Sequence, residues 1–167
     1  ESSVRLISSG QAQENGTTTL HLGLHFTLKD NWKVYWRTPG EGGIPVNINW
    51  QDSQNLENPT ILWPAPKRYV EYGSIESFGY KHEVVYPITT TVPDPTAPTT
   101  INAFINYAVC DEICLFLNNT LTLTIPPQHT DPEAASLINR FTALTPEPDG
   151  GHGLTFTEWG ITEENKD

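Results

Sequence analysis

An all-β fold, an antiparallel sandwich closed by one short C-terminal helix, is what this sequence predicts. Three observations carry that reading: a long run of alternating apolar residues, a series of short strand-like segments between turn residues, and one helical stripe near the end. Leu20, Leu22, Leu24, Phe26 and Leu28 alternate with Thr19, His21, Gly23, His25 and Thr27, the period of two of a half-buried strand. Asp30-Asn31 reads as a turn, and Trp32 to Arg37 as a second, aromatic strand. Pro39 to Gly43 breaks the chain before Val46, Ile48 and Trp50 alternate again. Pro59 to Tyr69 holds three prolines and reads as an irregular, extended connection. Glu83 to Val92 is the next strand. Ile101, Ala103, Ile105, Tyr107 and Val109 lead into Cys110, and Leu121, Leu123 and Ile125 close the series. Asp131 is placed to cap a helix, with Pro132 in its first turn and Ala134, Leu137, Ile138, Phe141 and Leu144 on one apolar stripe.

The 167 residues suffice for one domain of ordinary size with a real core. Residues 1–145 are read as that domain, and 146–167 as a Pro- and Gly-rich linker with the start of a following domain, unless Leu154 to Trp159 returns to the first sheet. Nine Lys and Arg against 20 Asp and Glu leave a net charge of -11. Such a surface repels phosphate backbones and anionic lipid, which argues against nucleic-acid partners and against direct membrane contact. No apolar run approaches the length of a membrane span. The start at Glu1 and the lack of any Met read as a mature chain from which a leader has been removed.

Two cysteines are too few for a disulfide scaffold, and they lie four positions apart. With strand pattern on both sides, Asp111 to Ile113 is a natural hairpin loop, and its flanking residues face each other at a separation a disulfide accepts. A bridge of so small a ring stabilises by only about 2 kcal/mol, so a redox pair is the favoured reading. A structural staple and a metal-binding or free thiol pair stay open on spacing alone. Asp111 and Glu112 disfavour a thiolate beside them, which suits a thiol that waits for a docked partner.

Four stretches carry a family resemblance in order and spacing: Asp30 to Pro45 (DNWKVYWRTPGEGGIP), Leu62 to Arg68 (LWPAPKR), Ser77 to Pro87 (SFGYKHEVVYP) and Tyr107 to Cys114 (YAVCDEIC). Over residues 20–145 the chain resembles the amino-terminal domain of the DsbD and ScsB family of periplasmic thiol-disulfide reductases, and is closer to the ScsB-like branch. The resemblance implies an immunoglobulin-like sandwich, a periplasmic setting and no cofactor. It also implies electron transfer from a thioredoxin-like domain, fed by a membrane domain of the same reductase, to periplasmic thioredoxin-fold isomerase or reductase clients. Cys110 and Cys114 would be the catalytic pair, with Cys114 forming mixed disulfides. A cap loop would span Tyr72 to Tyr80, with Phe78 as the shield and Gly79 beside it. Tyr35 and Trp36 would lie near the cysteines, and Glu71 and Glu76 would tune the thiols. The sequence departs from the family at Phe116, where a proline soon after the second cysteine is usual.

His21 and His25 share a strand face, but neither has a further His or Cys at ligand spacing, so both are expected as solvent-facing histidines and no metal site is assigned. The ScsB-like branch is associated with copper tolerance, which leaves a copper-handling domain as one rival reading. Another is a secreted binding module with an inert disulfide, recognising a protein or glycan through an aromatic face of Trp32, Tyr35, Trp36 and Trp63, although core packing of the sandwich is the favoured reading of most of these residues. Two glycosylation sequons, at Asn15 and Asn118, are chance matches in a chain rich in Asn and Thr. No hydrolase or phosphate-binding motif is present.

Overall fold

This patterning becomes ten strands and a helix in the computed structural model, which describes residues 2–71 and 74–146. In chain order they are β1 (Ser3–Glu14), β2 (Thr17–Thr27), β3 (Lys33–Gly40), β4 (Asn47–Asn49), β5 (Glu57–Ile61), β6 (Lys67–Glu71), β7 (Ile75–Lys81), β8 (Glu83–Thr91), β9 (Thr99–Cys110), β10 (Cys114–Ile125) and α1 (Pro132–Thr142). One sheet has the order β1-β2-β8-β5; the other runs β10-β9-β3-β7-β6, with β4 paired to β9. All these pairings are antiparallel. The expected sandwich is the observed one.

Alternation decides which side chains meet between the sheets. Leu20, Leu22, Leu24 and Phe26 of β2 and Val84, Tyr86 and Ile88 of β8 face Val34 of β3 and Ile101, Ala103, Ile105 and Tyr107 of β9, all buried in one cluster. Tyr86 sits at its centre, with Phe26, Trp63 and Tyr80 packed edge-on at 5.8, 5.3 and 5.5 Å between ring centroids. Its hydroxyl donates to the Tyr35 carbonyl at 2.8 Å, which ties the core to the strand that leads to the cysteines.

The outer face of the four-stranded sheet is covered by α1. Asp131 caps the helix, accepting from the Ala134 N–H at 2.9 Å, and Ala134, Ile138 and Phe141 are its buried side. Replacing Asp131 with Ala should cost about 1 kcal/mol in denaturant unfolding, the usual worth of such a cap. Because the helix lies there, His25 is buried rather than solvent-facing as the sequence suggests. It accepts from Arg5 Nε at 3.1 Å through Nδ1 and pairs Nε2 with Glu83 at 3.0 Å, while Arg140 of α1 also binds Glu83.

Burial pushes the Glu83 carboxyl up, but the hydrogen bonds from Arg140 and His25 outweigh it and hold the group below the usual carboxylate range. A depressed carboxyl stabilises the fold above its unfolded value, and that contribution disappears as pH falls through the folded value. Glu83→Gln should therefore flatten the acid loss of thermal stability below about pH 5, read as thermal midpoints in a pH series.

Three segments differ from the sequence reading. β1 has no counterpart there, since Ser8, Ser9 and Gly10 interrupt its alternation; its register shifts between Ser8 and Gly10. Pro59 to Tyr69, read as irregular, contributes to β5 and β6, and both are edge strands, where a proline removes no ladder bond. The stretch expected as a cap loop is mostly β7, paired on both sides by β3 and β6. The expected linker lies largely outside the described residues, including everything from 147 onward.

Candidate functional site

The hairpin that follows β9 brings the cysteines together. Cys110 ends β9 and Cys114 begins β10, paired directly in register, and the Asp111 N–H closes the loop on the Ile113 carbonyl at 3.1 Å. The two are joined as a disulfide with Cα atoms 4.1 Å apart. Their surroundings differ sharply: Cys110 is 2% exposed, whereas Cys114 is exposed.

Register explains the difference. Cys110 lies opposite Lys33 of β3, and Lys33 lies opposite Lys81 of β7. Residues paired in this way share a sheet face, so Lys33, Tyr35, Ala108 and Cys110 form the outer face of this sheet while Val34 and Val109 point into the core. Tyr35, Ala108 and Cys110 pack as a small buried cluster of their own. Tyr35 is thus the aromatic residue that packs in the cluster of the inner cysteine. β10, by contrast, is the edge strand, and its residues from Cys114 to Thr120 are all exposed.

Two glycines seat Tyr35. Gly79 pairs with it across β3 and β7, and a Cβ there would stand 2.3 Å from the Val34 carbonyl oxygen. Gly43, with φ +75, brings the loop after β3 onto the ring; a Cβ would lie 2.1 Å from Tyr35 Cε2. Glu41 anchors the same loop to β7, exchanging bonds with the Glu76 backbone: its N–H donates to the Glu76 carbonyl at 2.8 Å, and its carboxylate accepts from the Glu76 N–H at 3.0 Å.

The other expected site residues divide. Phe78 lies opposite Arg68, so the alternation puts it on the face of Tyr80 and Glu76, opposite to that of Gly79 and the cysteines. Tyr80 is a core residue whose hydroxyl donates to the Pro64 carbonyl at 2.6 Å. Trp36 packs against the main core with Arg37 over its ring, away from the Tyr35 cluster, since one step along a strand reverses the face. The Arg68 guanidinium hydrogen-bonded to Glu76 holds that carboxyl below its ordinary range, and this pair belongs to the Phe78 face. Asp111 is half-buried and Glu112 exposed in the hairpin loop. All of Tyr72 and the side chain of Glu71 lie outside the described residues.

Trp32 and Trp63, like Trp36, pack against the core, the use favoured for these aromatics over a binding face. Among the described residues no group of three or more His, Cys, Asp or Glu side chains is arranged to hold a metal, and no helix is long and apolar enough to cross a membrane. The sequence reading missed Lys33, Gly43 and Ala108. Lys33 was within its reach, because it shares the parity of Tyr35.

A disulfide between one buried and one exposed cysteine, on a hairpin at the end of such a sheet, agrees with the family that most of the chain matches. The model of the family "Thiol:disulfide interchange protein DsbD, N-terminal" covers residues 3–126. The chain belongs to the DsbD N-terminal domain family. Among solved structures, the N-terminal periplasmic domain of ScsB from Proteus mirabilis is 27% identical with a TM-score of 0.67, over 87% of this chain and 54% of that one. The chain thus spans about half the length of that relative. The N-terminal domain of DsbD from Neisseria meningitidis, in its reduced form, is 11% identical with a TM-score of 0.43, covering 77% of this chain and 86% of that one. No curated protein sequence matches. As a DsbD N-terminal domain, the chain carries the cysteine pair at the C-terminal end of β9, inside the matched region.

Proposed function

We propose that this domain is a periplasmic thiol-disulfide relay. It accepts electrons from the thioredoxin-like domain of a membrane reductase and passes them to thioredoxin-fold disulfide isomerases or reductases. The observation that carries the reading is the pairing of an exposed Cys114 with a buried Cys110 in a member of this family.

The geometry supports a definite order of events. A partner thiolate reaches Cys114 Sγ and forms the mixed disulfide; the Cys110–Cys114 bond breaks and its electron pair leaves on Cys110 Sγ. The partner's second thiolate then attacks its own sulfur of the mixed bond and releases Cys114. Two electrons and, after protonation, two protons have moved to the domain, and the partner is left with a disulfide. The same steps in reverse, with Cys114 attacking a client disulfide and Cys110 resolving the mixed bond, reduce the client. The first test is the equilibrium potential of the pair. A value of roughly -180 to -270 mV supports a relay, and a value below roughly -300 mV means a structural bridge.

The same reading names the partner-facing surface. Ile113, Leu115, Phe116 and Leu117 flank Cys114 and are 64, 41, 67 and 40% exposed, an apolar run on the surface of an otherwise acidic chain. Phe116 shares the face of both cysteines, since it pairs with Ala108. A partner bonded to Cys114 Sγ meets Phe116 first, because Leu115 and Leu117 pair with Val109 and Tyr107 on the opposite face. Phe116→Asp should slow exchange with a thioredoxin-fold partner about tenfold, the effect of losing one apolar anchor, while the potential of the pair stays unchanged.

A further inference from the structure

Among the described residues β10 is an open edge of its sheet, and it lacks the devices that keep such edges unpaired. The other three edges carry them. β1 breaks register between Ser8 and Gly10, β5 is five residues long with Pro59 inside it, and β6 presents Lys67 and Arg68. β10 runs twelve residues, Cys114 to Ile125, without a charge, a proline or a glycine, and pairs with β9 in one unbroken register. In a chain of net charge -11, this strand can be approached without opposing like charges.

Its register fixes which main-chain groups are open. Cys110 and Cys114 stand 4.1 Å apart at Cα, the close spacing of a non-hydrogen-bonded pair. The same parity holds further along β9. Asn102 turns its N–H and carbonyl to Ser53 Oγ, and Thr100 turns both of its own to Gln54, away from β10. The N–H and C=O groups of Cys114, Phe116 and Asn118 therefore point to the open edge, whereas those of Leu115 and Leu117 bond β9.

We infer that a thioredoxin-fold partner docks by adding an extended segment of its own chain to β10, from Cys114 to Asn118. This rests on the relay reading and names how the partner is held. The mixed disulfide is what commits the edge to that occupant. A cysteine bonded to Cys114 has its Cα about 4.4–6.8 Å away, and neighbouring strands lie about 4.7–4.9 Å apart. The bond itself therefore brings partner backbone to pairing distance of this edge. Main-chain bonds supply affinity with little demand on the partner's sequence, which suits a domain that takes electrons from one protein and gives them to others. Phe116, on the face of both cysteines, then packs beside the added strand.

The test joins the Cys110→Ser domain through Cys114 to a thioredoxin that keeps only its outer active-site cysteine, and compares amide hydrogen exchange with that of the free domain. The amides of Phe116 and Asn118 should exchange freely in the free domain and about tenfold more slowly in the adduct, while those of Leu115 and Leu117 are protected in both. No gain at Phe116 and Asn118 would overturn the inference. Protection already present in the free domain would also overturn it: if it grows with concentration the edge belongs to a second copy, and if not, to the chain itself. Rates give a second readout. Asn118→Pro removes an outward N–H and no bond to β9, so it should lower the rate of reduction by reduced thioredoxin, relative to that by dithiothreitol, about tenfold, roughly the worth of one hydrogen bond. Thr122→Pro has the same parity but lies beyond the paired stretch, and should leave that ratio unchanged. Equal ratios for the two variants would overturn the inference. If Asn118→Pro does not fold, the hydrogen-exchange pattern decides. The adduct is made chemically, so it tests the edge whether or not the relay reading holds. Failure of that reading appears separately, as a pair potential in the range of structural bridges.

Discussion

Cys114→Ser is expected to abolish exchange outright, and Cys110→Ser to convert the domain into a trap that accumulates a mixed disulfide with its partner. The asymmetry follows from exposure. Cys114 is open on the edge strand, so with Cys110 replaced its sulfur can still reach a partner, but no resolving thiol remains in the domain. Cys110 is 2% exposed beneath Tyr35, so with Cys114 replaced the remaining sulfur meets no partner. Both variants should stay folded, because a ring this small contributes about 2 kcal/mol to stability. Non-reducing gels after incubation with an oxidised, disulfide-bonded thioredoxin-fold protein, which Cys114 attacks to form the mixed disulfide, alongside thermal unfolding, check both statements. Unfolding of both variants would show a staple. Trapping on Cys110 instead of Cys114 would reverse the assigned order of attack.

Gly43→Val is expected to be the most disruptive single change near the site that touches neither cysteine. Its φ of +75 is disfavoured for a β-branched residue, and its Cβ would lie inside the Tyr35 ring contact, 2.1 Å from Cε2. The backbone conformation costs about 1–3 kcal/mol and the overpacking a similar amount. Part of that strain is relieved if Tyr35 swings off Cys110, so reduction by dithiothreitol should become faster as the thermal midpoint falls. Gly16 provides the control: its φ is +78, and a Cβ there would meet nothing within 4 Å. Gly16→Val should show the backbone cost alone, with no change in the reduction rate. Equal stability losses for the two variants would mean that the Gly43 loop does not hold Tyr35.

How much of this was legible in the sequence depended on whether a signal was local. The β2 leucines alternate without interruption and form the strand they promise. Asp131 and Pro132 announce the helix start, and the cap forms as the pattern requires. The cysteine hairpin was equally readable, since strand pattern on both sides of three residues leaves little other geometry. Phe78 shows where local reading stops. An aromatic residue after a run of small and polar ones looks like a loop-borne shield, but pairing with both β3 and β6 makes the segment a strand and sets the parity of every side chain in it. His25 fails for a related reason: its strand face is polar in sequence and is buried only because a helix more than a hundred residues later lies across it.

The fold class, the strand that ends in Cys110, the hairpin that sets the two cysteines face to face and the family could all be read from the order of the amino acids. The first three follow from periodicity, turn residues and short-range spacing, which act within a few residues of one another; the family rests on the resemblance of four motifs and on the match over residues 3–126. Strand pairing was needed to show that the bond is closed with Cys110 buried and Cys114 exposed, that Tyr35 rather than Phe78 shares the cysteines' face, and that a buried lysine pairs with Cys110. Each of these depends on strand order and register. Hydrogen-bonded neighbours far apart in sequence set both, and a shift of one residue would turn every side chain of a strand to the opposite face.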